Sequence, residues 1–143
     1  MEGRASPPGT AGRAPVFTDP RGSLTLVPYD ELPFDPARVY VLGDIPNGAR
    51  RAGHACRTQH RFLLGLSGTA AVTLDDGHTT GRLELRHGDT LHIPPGTWHE
   101  LEATTGGVEI LVLADGPHDP DDYLTDRSRL PLAADTASPT ADA

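Results

Sequence analysis

Gly88-Asp89-Thr90-Leu91-His92-Ile93-Pro94-Pro95-Gly96-Thr97-Trp98-His99-Glu100 is the stretch whose reading decides the fold. Gly88-Asp89 turns the chain, and Thr90 to Ile93 read as a strand. Pro94-Pro95-Gly96 interrupts the hydrogen-bonding ladder and makes a tight turn, and Trp98 to Glu102 read as the return strand. Side chains alternate along a strand, so His99 and Leu101 share one face while Trp98, Glu100 and Glu102 share the other. The carboxylates belong in solvent, which aims His99 at the interior.

Upstream, Gly48 to His60 contains Gly53-His54-Ala55-Cys56-Arg57. His54 and Cys56 fall on one face with Ala55 opposite, so both are expected to look inward. Asp75-Asp76-Gly77 between the two stretches is a hairpin signal. Two imidazole-bearing strands joined in this way predict a small β-barrel with a site in its mouth.

Further out, the pattern continues. Ser23 to Pro28 alternates like a strand, and Tyr29 to Ala37 reads as a proline-rich loop. Arg38 to Leu42 is expected as a strand with Arg38 and Tyr40 on one face. His60, Phe62, Leu64 and Leu66 read as one alternating face. Ala70 to Leu74, the segment around Leu83 and Leu85, and Val108 to Leu113 complete the set. No amphipathic helix longer than a turn or two is visible. Short strands at close spacing mean an all-β sandwich, jelly roll or barrel.

Residues 1–15 and 131–143 are rich in Gly, Pro, Ala, Ser and Asp and are expected to be disordered tails around one domain over 16–130. The net charge of −8 argues against nucleic acid as a partner. One cysteine allows no intrachain disulfide, and no apolar run is long enough to span a bilayer. The start of the chain lacks the apolar block of a signal peptide. A cytoplasmic protein with no membrane partner is the expectation.

Gly88, Pro94, Gly96 and His99 match the second cupin motif position by position. A longer collinear set resembles the nucleotide-sugar 3,4-ketoisomerase branch of the cupins. It comprises Asp19-x-Arg21-Gly22-Ser23-Leu24, Arg38-Val39-Tyr40, Gly53-His54-Ala55, Leu66-Ser67-Gly68 and Leu74-Asp75-Asp76-Gly77. It continues with Pro95-x-x-Trp98-His99-Glu100, Val112-Leu113-Ala114 and Asp119-x-x-Asp122-Tyr123. The resemblance implies a jelly-roll barrel that dimerises, needs no metal or other cofactor, and acts on a dTDP-4-oxo-6-deoxyhexose. It also exposes two departures. The family's His-Ala-His is His54-Ala55-Cys56 here, and Arg61 stands where Gln is usual.

Moving a ketone from C4 to C3 of a sugar requires removal of the C3 proton, an enediol, and a proton returned at C4. A base of near-neutral pKa and donors for the enediolate oxygens suffice. His54 is expected to be the principal acid/base, with Cys56 or His99 as second proton carrier and Tyr40 as donor to a sugar oxygen. A thiol of ordinary pKa about 8.5 needs a neighbouring cation to ionise at neutral pH. Arg38 and Arg51 are expected to hold the diphosphate, and Arg57, His60 and Trp98 complete the expected binding set. Two other readings remain open at this point. His54, Cys56, His60 and His99 are chemically able to ligate zinc or iron, as in a metal-dependent dioxygenase or isomerase. Alternatively, loss of the second imidazole marks a cupin repurposed as a binding protein or cyclase of secondary metabolism.

Overall fold

The computed structural model describes residues 8–132. Its strands are β1 (Thr10–Arg13), β2 (Val16–Asp19), β3 (Gly22–Thr25), β4 (Arg38–Ile45), β5 (Arg50–Cys56) and β6 (Arg61–Ser67). They continue with β7 (Ala70–Asp75), β8 (Thr80–Leu85), β9 (Asp89–Ile93), β10 (Trp98–Ala103), β11 (Val108–Ala114) and β12 (Tyr123–Leu124). Two five-stranded antiparallel sheets result, in the orders β1-β9-β6-β11-β4 and β12-β5-β10-β7-β8, and β2-β3 forms a separate hairpin. The only helices among the described residues are single 3₁₀ turns, and none is long and apolar enough to cross a membrane.

The sheets face each other across one apolar core. Leu63, Leu91, Ile93 and Ile110 from the first sheet pack with Val72, Leu74, Leu85 and Leu101 from the second. This is the two-layer jelly roll expected from the alternation of inward apolar and outward polar residues. Turn chemistry sets the register where the sequence signals it. Gly77 closes the β7–β8 hairpin at φ +92, while the Asp76 carboxylate accepts from the backbone N–H of His78 and Thr79. Gly96 turns at φ +82, and its N–H donates to the Cys56 carbonyl at 2.8 Å, tying the Pro94-Pro95-Gly96 turn to β5.

The N-terminal boundary needs correction. Thr10–Arg13 is not a tail but strand β1, paired with β9 from Thr10↔His92 to Arg13↔Asp89. The Arg13 guanidinium meets the Asp89 carboxylate at 2.6 Å. Backbone pairing on a sheet edge needs little side-chain hydrophobicity, so a Gly- and Ala-rich segment joins the sheet without announcing itself. At the other end Leu130 and Leu132 pack against Ala55, Trp98 and Leu124, so the domain extends slightly past residue 130. The remainder of the two expected tails, residues 1–7 and 133–143, lies outside the described residues.

Candidate active site

Where the core ends, a hollow of about 440 Å³ opens between the sheets. Leu63, Leu101 and Val112 belong to both core and hollow and form its apolar part. The first sheet contributes Arg38, Tyr40 and Leu42 from β4 and Arg61 from β6. The second contributes Arg51 and His54 from β5, His99 from β10 and Tyr123 from β12. No Asp or Glu lines it. The hollow is therefore cationic inside a chain of net charge −8.

His54 owes its direction to a β-bulge. Opposite β10 the register runs His99↔His54 and then Glu100↔Ala52, leaving Gly53 extra. Ala52 and Gly53 both have positive φ, +71 and +80. A bulge of this kind bends the strand and re-aims the next side chain. The His54 ring stacks on Tyr123 at 4.1 Å and 16° and meets the His99 ring edge-on at 5.0 Å. Tyr123 is held there because the buried Asp122 carboxylate accepts from Thr58 N–H, Thr58 Oγ1 and Gln59 N–H, pinning β12 to the loop after β5. Burial and the Arg61 charge lower the His54 pKa from its ordinary 6.5, so the ring is neutral and basic at pH 7.

His99 is 4% exposed. Burial, reinforced by the nearby His54, pushes it down to about 3. Its Nδ1–H donates to the Thr97 carbonyl at 3.2 Å, which leaves Nε2 as an unprotonated acceptor. His99 is thus a fixed neutral acceptor, not an acid at neutral pH. Burial raises the Tyr40 phenol, which stays a donor. The Arg38 guanidinium lies 5.2 Å over the Tyr40 ring.

Four expected site residues lie elsewhere. Cys56 is 3% exposed, pairs with Tyr123 in the β5–β12 ladder, and is not among the lining residues. Burial pushes its thiol up to about 11 despite the Arg61 charge, so the thiolate needed for proton transfer is essentially absent at pH 7. His60 precedes β6 outside the hollow, clustered with Phe34 and His92, with its Nδ1 2.8 Å from His92 Nε2. That displacement also breaks the four-ligand metal set. Trp98 packs on Ala55 and Leu124 with Arg127 4.5 Å over its ring, a packing role away from the hollow. Arg57 is not in the lining either; its N–H donates to the Asp122 carbonyl.

Two important residues were not in the expected set. Arg61 is 2% exposed and lines the hollow, although charge on a strand ordinarily signals solvent. Tyr123 sits in a segment of the resemblance read only as scaffold.

A family model described as "FdtA: WxcM-like, C-terminal" matches residues 10–132, from β1 to the last described residue. The chain belongs to that family. Separately, the chain is similar to a curated relative, TDP-4-oxo-6-deoxy-alpha-D-glucose-3,4-oxoisomerase of Aneurinibacillus thermoaerophilus. It is 32% identical over 108 residues, covering 74% of this chain and 78% of the relative. Among solved structures, the sugar 3,4-ketoisomerase QdtA of Thermoanaerobacterium thermosaccharolyticum in complex with TDP superposes with a TM-score of 0.77. The two are 27% identical, over 84% of this chain and 89% of that one. A 3,4-ketoisomerase from Helicobacter canadensis, 24% identical, shares the fold with a TM-score of 0.79, over 88% of this chain and 96% of that one. The fold is the cupin jelly roll that the motif resemblance implied, within the all-β class that the strand pattern predicted.

Proposed function

We propose that this protein is a TDP-4-oxo-6-deoxyhexose 3,4-ketoisomerase of deoxysugar biosynthesis, working by acid/base chemistry through an enediol. The observation that carries the reading is the neutral His54 ring, aimed by the Ala52-Gly53 bulge into an acid-free hollow. The curated relative's activity supports the same assignment. His54 takes the C3 proton and returns it at C4. Tyr40 donates to a sugar oxygen, and His99 accepts from a sugar hydroxyl through its free Nε2. Arg38 and Arg51 hold the diphosphate. The substitution at Cys56 leaves one imidazole where the family resemblance has two, so His54 works without a second proton carrier from that position. No step requires a metal or redox cofactor, because the carbon skeleton loses and regains a proton without net oxidation.

The protein acts as a cytoplasmic homodimer in this reading. Val39 and Val41 of edge strand β4, which also border the hollow, are 56% and 53% exposed, and Phe17 and Leu24 on the β2–β3 hairpin are both 58% exposed. Open edges and clustered exposed apolar residues mark association surfaces.

The test is incubation of purified protein with TDP-4-oxo-6-deoxyglucose, following by proton NMR the appearance of the 3-oxo sugar, with and without chelator. Turnover indifferent to chelator is the expected result. Turnover abolished by chelator and restored by zinc or iron would instead favour a metal-dependent isomerase.

A further inference from the structure

Resting on the reading above, we propose that Arg61 is the electrophilic partner of His54. Its guanidinium binds the ketone oxygen and stabilises the enediolate as the carbon-bound proton leaves.

Arg61 is 2% exposed, and arginine cannot shed its proton in a protein. No carboxylate among the described residues forms an ion pair with it. Nη1 is engaged by the Gln59 side-chain oxygen at 3.0 Å and the His60 carbonyl at 3.2 Å. Nε is buried with no partner, and the uncharged phenols of Tyr40 and Tyr123 face the guanidinium without neutralising it. A buried cation with a spare donor is costly for folding, and here it borders a hollow built for a ligand. The missing partner is one that arrives with, or develops on, the substrate.

Arg61 lines the hollow from the first sheet, while His54 and His99 line it from the second. A pyranose ring between the sheets has the base on one side and the cation on the other. A preorganised donor at the oxygen that gains charge is where electrostatic catalysis is strongest.

His99 is neutral with Nδ1 committed to Thr97, and Tyr40 is an uncharged donor. Arg51 is exposed at the rim. Arg38 is half-buried beside Tyr40; its Nε and Nη2 are also buried without a partner, but the residue stays partly open and is assigned above to the diphosphate. Arg61 alone combines full burial with permanent charge.

The step balances. The C3–H bond breaks, its proton goes to His54, and its electron pair forms the C3=C4 bond. The C4=O π pair moves onto the oxygen held by Arg61. His54 then gives its proton to C4, the O3 proton passes to O4, and the carbonyl re-forms at C3.

Steady-state kinetics on wild type, Arg61→Gln, Arg61→Met and Arg61→Lys with TDP-4-oxo-6-deoxyglucose test this. Both neutral variants are expected to lose about 100-fold in kcat with KM changed less than about threefold, and Lys to recover roughly tenfold of that loss. Because the Arg61 charge lowers His54, the acidic limb of kcat/KM is expected to move up toward 6.5 in both neutral variants. Their melting temperatures are expected to equal or exceed that of wild type. Neutral variants within about threefold of wild-type kcat, or a loss confined to KM, would overturn the assignment while leaving the isomerase function standing. An inactive wild type would overturn both.

Discussion

His54, His99, Cys56 and Arg61 sit within one small volume, and their protonation states differ because their surroundings do. His54 is lowered by burial and by Arg61, so activity requiring its neutral form is present at pH 7 and lost as pH falls through a value below 6.5. Cys56, with its thiol at about 11, contributes no base. Cys56→Ala should leave kcat within about fivefold of wild type, since only a small buried side chain is trimmed. His99 carries a stability signature. Its folded pKa, about 3, lies below the unfolded value, so the unfolded chain binds the proton first. Its contribution is therefore whole above pH 6.5 and shrinks as pH falls toward 3. Between pH 7 and 5 this removes about 2 kcal/mol. Urea titrations should show that loss in wild type and a smaller one in His99→Gln, which cannot take up the proton. At this scale, apart from His54, which faces inward through a bulge, strand alternation was enough to place His99, Tyr40 and Arg38 from the sequence. It did not place Arg61, because a charge with no partner in the chain has a reason to be buried only once the hollow is seen.

Among the elements, β6 shows why one face was misread. Phe62, Leu64 and Leu66 alternate, and so do Arg61, Leu63 and Gly65, the latter set being buried. β6 is central in its sheet, and Phe62 is half-buried in a hollow it lines together with Leu26, Pro28 and Leu32. A strand buried on both sides gives no periodic signal to choose the inward face. His60 was assigned inward on that parity and lies against Phe34 and His92 instead. The bulge in β5 was equally hidden, although Gly53 just before His54 is the residue that permits it. A Cβ at Gly53 would meet nothing nearer than Glu100 Oε2 at 3.9 Å, so only its φ of +80 resists substitution. Gly53→Val should cost about 1–2 kcal/mol in urea unfolding. It should cost proportionately more in kcat than in KM, because the strand relaxes by turning His54 away.

For the molecule as a whole, the two-sheet architecture was legible because each turn carries its own residue chemistry, from Asp75-Asp76-Gly77 to Pro94-Pro95-Gly96. The pairing of β1 was not, since edge strands of small residues leave no hydrophobic trace. The exposed apolar residues on β4 and the β2–β3 hairpin carry a prediction at this scale. Sedimentation should report a dimer for wild type, and Val39→Glu with Val41→Glu should shift it toward monomer. The charge distribution has a further consequence: in a chain of net charge −8 an acid-free cavity is lined by Arg38, Arg51 and Arg61, which draws an anionic sugar nucleotide to it.

The account stands or falls on the His54 imidazole as the group that moves the proton. The most direct measurement is the rate at which wild type and His54→Asn convert TDP-4-oxo-6-deoxyglucose to its 3-oxo isomer, read by proton NMR at pH 7. The predicted result is conversion by wild type and a loss of at least about 1000-fold in the variant, with the fold retained by circular dichroism. Equal rates in the two proteins, or a wild type that leaves the sugar unchanged, would contradict it.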